Sequence, residues 1–332
     1  MIMYKRFMRV MHWLLMCGVG VLLLAGYARA DHIQDLGERL PVVSVVAGTQ
    51  FSKTLNEFAV VFADFLHEKT GSHVQFMQMG GEGGMIGADY VTHSADDGSV
   101  FLLSTHSTQS VNSMLQKTVS YSPEQDLVNI GMIGTSPAAL VVPANSPFQT
   151  FSQLLNAVRL NPLDYRIGYY NSTSQVAAGL FNHYAGLNLH MMPYNNRGLL
   201  LHELAINGVQ FAFIDGIFVA DLLKENKIRV LATTGDNPVL DMSTVALTST
   251  LHPEFLLEGW VGVAAPKRVP DEVVTQMRTW LNQALADANI KDVMQRTGLK
   301  PLDMVCLNIE KFIRHDAELW RKRIMLGKLT PR

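Results

Sequence analysis

Residues 80–91, GGEGGMIGADYV, place four glycines in five positions ahead of a helical pattern. A glycine turn at a helix start can cradle a phosphate. The dinucleotide fingerprint needs G-x-G-x-x-G, but Gly81, Gly83 and Gly87 are spaced one residue too long, and no Gly-Lys-Ser/Thr completes a Walker loop. Glu82 would also set a negative charge beside any phosphate. The stretch therefore reads as a tight turn that lets a helix pack closely on its strand. The eleven histidines are scattered, without an H-E-x-x-H or a two-histidine helical pair with a third ligand, so no metal is expected. No G-x-S-x-G elbow or triad spacing occurs, and Asp96-Asp97 before Gly98 read as a solvated turn. Neither catalysis nor a cofactor is expected.

What recurs is a cluster of hydroxyl and amide side chains where a strand-like run gives way to a helix. The segments are GTQFSKT (48–54), STHSTQS (104–110), NSTSQ (171–175) and PYNN (193–196), and Asp215 ends FAFID. Helix starts with such donors suit carboxylates without any cationic side chain. Singly, Thr54, Ser107 and Ser174 also read as N-caps. Several such segments converging point to a binding cleft.

The elements that must carry these segments alternate. Strands are expected at 42–47, 73–79 and 100–106, with a helix at 54–70 whose Leu55, Phe58, Ala59, Phe62 and Leu66 fall on one face, and another from about Met85. This βαβαβ order predicts a parallel, doubly wound sheet. A second set has strands at 138–144, 166–170, 189–194, 209–215 and 228–234, and helices at 150–160, 174–186, 197–207 and 217–225. The chain then returns through a strand at 260–266 to amphipathic helices at 270–288 and 308–326. Two α/β lobes result, 40–139 with 262–332 and 140–261, and ligands of such sheets sit beyond the carboxyl ends of the strands.

The chain opens with Lys5, Arg6 and Arg9, an apolar run from Trp13 to Gly26, and Ala28-Arg29-Ala30. That order predicts a secretory signal peptide over 1–30, cut before Asp31; the alternative is a retained membrane anchor, for which the run is shorter than the ~20 apolar residues of a span. Cleavage takes four of the 27 basic residues and no acid, leaving 23 against 29 acidic, a net of −6. With no basic block, nucleic acid is not an expected partner. Losing Cys17 leaves Cys306 alone, so no intrachain disulfide is expected.

Seven segments in order resemble the Bug family, the periplasmic solute receptors of tripartite tricarboxylate transporters. GGEGGMIGA (80–88) is similar to P-G-A-G-G-N-I-G-A, ADDGSVFLLSTHST (95–108) to P-D-G-Y-T-L-L-x-G-T, and YSPEQDL (121–127) to Y-D-P-x-K-D-F. Residues 171–196 parallel a G-T-S…A-G…V-P-Y-K-G segment, and FAFID (211–215), KIRVLATT (227–234) and EGWVGVAAPKRVP (258–270) follow.

The resemblance implies a Venus-flytrap, periplasmic-binding-protein-like fold with a carboxylate held between the lobes and delivered to membrane transporter subunits by a monomeric receptor. It implies ligand contacts from Thr49, Phe51, Ser52 and Thr54 of the first loop, from Ser172, Thr173 and Ser174 of the second lobe, and by position from Ser104, Thr105, Thr108 and Asp215. Asp215 would accept a ligand ammonium group or cap the next helix. The first loop departs from the family's P-F-x-P-G-G-S-x-D: Ser52-Lys53 stand where two glycines are expected, and Asn56 replaces the Asp. Lys53 would pair with a carboxylate or point to solvent. Asn195-Asn196 replace the Lys-Gly of P-Y-K-G. The same fold in a periplasmic sensor or partner-binding protein is the alternative to uptake.

Overall fold

A computed structural model of the chain describes residues 40, 42–235, 240, 245–302 and 308–331. The expected signal segment, Cys17 and Cys306 lie outside these residues.

The first part of the chain forms β1 (Val42–Ala47), α1 (Lys53–Thr70), β2 (His73–Gln78), α2 (Met85–Thr92), β3 (Val100–Thr105) and β4 (Leu127–Pro143). There follow α3 (Phe151–Leu160), β5 (Arg166–Tyr169), α4 (Ser172–Ala185), β6 (His190–Pro193), α5 (Arg197–Ala205), β7 (Phe211–Asp215), α6 (Val219–Lys224), β8 (Ile228–Thr233) and β9 (Ala246–Leu247). The remainder is β10 (Glu258–Pro266), α7 (Asp271–Ala286), α8 (Ala288–Thr297), β11 (Lys300–Pro301) and α9 (Ile309–Leu326).

Strands run β2-β1-β3-β10-β4 in the first lobe, with β1, β2 and β3 parallel and β10 antiparallel to its neighbours. In the second lobe β5 lies parallel to β6 and β7, and β4 pairs antiparallel with β7 and β8. β4 serves both sheets: Leu127 to Pro137 pair with β10, and from Ala138 onward the partners are β7 and β8. Where it changes partners, buried Thr234 accepts from the Ala138 N–H through its Oγ1 (2.9 Å), and its carbonyl accepts from the Leu257 N–H (2.8 Å). Both passages between the lobes are thus stitched at one place. The arrangement is two α/β lobes of the Venus-flytrap kind, as expected.

The helical face read for α1 is the buried one: Leu55, Phe58, Ala59, Phe62 and Leu66 are each at most 4% exposed. Gly71, in the left-handed region at φ 72°, ends that helix. The glycine turn is a packing device. A Cβ on Gly48, after β1, would lie 2.5 Å from the Gly84 Cα, and Gly84 itself sits at φ 90°. The turns after β1 and before α2 can approach only without side chains.

Four features differ from the sequence expectation. β4 begins eleven residues before Ala138, at Leu127; Gly131, Gly134 and Pro137 interrupt the apolar pattern that would have announced it. Gly134 is needed there, since its Cβ would meet the Lys300 carbonyl of β11 at 2.5 Å. Within residues 104–110 β3 ends at Thr105, and the helix start expected there is a π-helical turn, Ser107–Val111. Helix α8 was not expected. The C-terminal helix, grouped above with the first lobe, packs both on α4 of the second lobe and on residues 107–111 of the first: Trp320 and Ile324 share an apolar cluster with Val176, Leu180 and Phe181 and with Val111 and Leu115. Gly327 and Gly179 allow that contact, a Cβ on Gly179 lying 3.1 Å from the Gly327 Cα.

Candidate functional site

A cleft of about 510 Å³ opens between the lobes. Its first-lobe wall is the turn after β1, the start of α1 and the glycine turn 80–84. Its floor is residues 105–108, Ser136 of β4, and Gly259 and Trp260 of β10. Its second-lobe wall is the ends of β5 and β7 with the starts of α4 and α5.

On the first wall, three backbone donors of the altered loop, the N–H groups of Phe51, Thr54 and Leu55, are already engaged. The Phe51 N–H donates to the Gln78 Oε1 (2.8 Å), and the Leu55 N–H to the Ser52 cap oxygen (3.3 Å). The Thr54 N–H and Oγ1 both donate to one carboxylate, Asp221 of the second lobe, at 2.9 and 2.6 Å. Burial alone would raise the Asp221 carboxyl; the donors from Thr54 and Ser52 outweigh it and hold it below the usual carboxylate value. Asp221 is thus a negative charge at the start of α1, where helix N–H groups and dipole favour one. Lys53, exposed, also lines the cleft.

The floor is a buried polar and aromatic network. The Trp260 N–H donates to His106 Nδ1 (3.1 Å), so Nε2 carries the proton and donates to Thr173 Oγ1 (2.7 Å). The ring stacks on Trp320 of α9, centroids 4.8 Å apart. Burial drives the His106 imidazole down to about 4, so it is neutral at pH 7. Beneath it, Trp260 Nε1–H donates to Asp316 Oδ2 (2.6 Å), a carboxyl that burial lifts to about 6. Ser107 and Ser172 join their hydroxyls across the lobes at 2.7 Å. The Ser136 hydroxyl, buried in the floor, has no hydrogen-bond partner among the described residues.

On the second wall Asp215 accepts from the Tyr170 hydroxyl and from Asn171 Nδ2 (2.8 Å). Burial pushes the Tyr170 hydroxyl well above the usual phenol value, so it stays a donor. Arg197 opens α5, its guanidinium 3.4 Å from the centre of the Phe218 ring.

A family model described as the tripartite tricarboxylate transporter family receptor matches residues 58–328. The chain belongs to this family. The receptor is 25% identical over 320 residues to the UPF0065 protein in the tcbD-tcbE intergenic region of Pseudomonas sp. strain P51, covering 95% of this chain and 94% of that one. It is 24% identical over 311 residues to protein BugT of Bordetella pertussis, covering 92% and 95%. Among solved structures, R. palustris Rpa4515 with adipate superposes at TM-score 0.80 with 23% identity over 88% of this chain and 98% of that one. MatC from Rhodopseudomonas palustris with bound malate gives TM-score 0.73, 17% identity, 85% and 98%. At these identities the structures speak to the fold.

Of the expected contact residues, the receptor brings Thr49, Ser52, Thr105, Thr108, Thr173 and Asp215 to the cleft. It turns five away from the lining. Phe51 packs on Phe76, ring centroids 5.8 Å apart. Thr54 is sealed under Asp221. Ser104 sits within β3, 1% exposed. Ser172 is engaged with Ser107, and Ser174 closes the capping box of Asn171 at the start of α4. Sequence reading missed His106, Ser136, Tyr170, Arg197, Trp260 and Asp221. The signal for Arg197 was present: it directly follows the PYNN segment and is the first residue of a helix.

Proposed function

We propose that this receptor captures a small carboxylate metabolite in the interlobe cleft, in the periplasm, and as a monomer presents its closed form to the membrane subunits of a tripartite tricarboxylate-type transporter. The observation that carries this reading is the charge state of the cleft. Asp215 and Asp221 are held by the protein's own donors, and Glu225 pairs with Lys227 at 2.7 Å, whereas Lys53 and Arg197 form no ion pair among the described residues. An acid finds uncommitted partners there. The family description and the adipate and malate of the two solved relatives support the ligand class. The N-terminal signal pattern supports export.

Thr49, Ser52, Thr105, Thr108, Thr173 and Asp215 are the proposed contacts retained from the sequence, joined by Ser136. The proposed lobes are 40–139 with 262–302, and 140–261 with α9 docked on it. Binding closes the lobes if the ligand touches both, because only differential affinity moves the equilibrium. Calorimetry and thermal shift against dicarboxylates, tricarboxylates, acidic amino acids and aromatic acids test this. A true ligand at a hundredfold excess over its Kd stabilises by about 2.7 kcal/mol. A folded protein that responds to none of these acids overturns the reading.

A further inference from the structure

We propose that Arg197 is the anchoring cation of the cleft: it holds an acid group of the ligand from the second-lobe wall, while the first-lobe helix start is occupied by Asp221. The inference deepens the carboxylate-receptor reading and rests on it.

Three observations converge. First, donors at the start of α1 are engaged within the protein: Phe51 N–H with Gln78, and Thr54 N–H and Oγ1 with Asp221, whose carboxylate sets a negative charge there. A ligand acid competing there would have to displace a carboxylate already bound through two short contacts, and would meet its charge.

Second, Arg197 is the wrong sign for its position. It is the first residue of the nine-residue helix α5, whose first turn contains no acid, so its charge lies at the positive end of the helix dipole. No ion pair relieves it among the described residues. Asp215, the acid on its own wall of the cleft, is engaged with Tyr170 and Asn171. What holds the guanidinium is the face of Phe218, itself 2% exposed. Stacking fixes the plane of the guanidinium and leaves its N–H edge for a planar, two-oxygen acceptor such as a carboxylate.

Third, an unpartnered hydroxyl waits in the same cleft. Ser136 is 8% exposed and its Oγ has no partner among the described residues, though it forms part of the floor. A buried hydroxyl without an acceptor or donor is a cost, and a polar ligand that reaches it removes that cost. The other charges at the cleft do not supply an anion to Arg197: Glu82 is exposed at the glycine turn of the opposite lobe, and Glu225 and Lys227 satisfy each other.

The test is calorimetry on the secreted protein with succinate, glutarate, adipate, citrate, glutamate and benzoate. The acid that binds most tightly is then compared with its amide. In the wild type the amide binds at least tenfold more weakly. In Arg197→Met the acid loses affinity by about ten- to a hundredfold, the range of a charge-assisted bidentate contact, and its advantage over the amide collapses. Arg197→Lys keeps the charge without the fork and recovers part of the loss. Acid affinity in Arg197→Met within threefold of wild type, with unchanged unfolding, overturns the proposal and leaves the carboxylate reading standing. Should Arg197→Met not fold, Arg197→Lys decides, unchanged affinity again overturning it. A wild type that binds none of the acids overturns both.

Discussion

Two helix starts line opposite walls of the cleft, and they handle the same electrostatics in opposite ways. At α1 the protein finishes the helix itself: Asp221 reaches across from the other lobe and accepts from Thr54 N–H and Oγ1. At α5 the protein caps the backbone with Asn196, whose Oδ1 accepts from the Leu199 N–H (3.0 Å), but then adds Arg197 and no acid. One start is electrostatically complete and ties the lobes together. The other is left positive. A helix start that faces a cleft becomes a ligand site only if the fold has not already filled it.

The sharpest way to break this contrast is at Asp221. Asp221→Ala leaves the buried Thr54 N–H and hydroxyl without acceptors and should cost about 3 kcal/mol in urea unfolding at pH 7, with a more open ligand-free shape in solution scattering. A loss below about 0.5 kcal/mol would mean that the latch is cosmetic and that both starts are equally available.

The shared floor offers a smaller effect that must treat both walls alike. His106, lowered to about 4 in the fold against 6.5 when unfolded, binds its proton less readily in the native state, so its contribution to stability is lost as pH falls from 6.5 toward 4. Asp316, raised to about 6, works in the opposite sense and returns stability as pH falls from about 6 toward 3.8. From pH 7 to 5 the first term is about 2 kcal/mol and the second about 1. Asp316→Asn should therefore expose the full histidine slope in denaturation curves taken across that range. A variant as flat as the wild type would refute the assignment.

Smallest is the intrinsic cost of the positive start. Arg197→Glu replaces a cation by an anion in the first turn of α5 and should stabilise the ligand-free protein by about 0.5 kcal/mol, while acids that bind the wild type no longer bind. A destabilised variant would show that Arg197 is a structural residue held by Phe218, and the two helix starts would differ in form only.

Much of the scaffold was legible because it depends on local pattern. β1, β2, β3, β5 and β7 were read to within about two residues from short β-branched runs, and α1 from its apolar spacing. β4 was half missed because glycines and a proline break its pattern, and the contacts of α9 with both α4 and residues 107–111 were not legible because an amphipathic helix does not say which surface it will cover. The cleft segments were visible as hydroxyl-rich strand ends, but their roles were not. Thr54, Ser172 and Ser174 look like ligand donors in sequence and prove to be engaged with Asp221, Ser107 and Asn171.

The sequence by itself determined the two-lobed α/β order, the family, the glycine turn as a packing element and the strand ends that border the cleft. Each follows from periodicity or from motifs within a few residues. Only the tertiary structure decided which donors remain free. Thr54 and Asp221 are 167 positions apart, and His106 and Trp260 are 154 apart. Whether a helix start faces a ligand or the protein's own carboxylate depends on groups that meet only when the lobes are folded against each other.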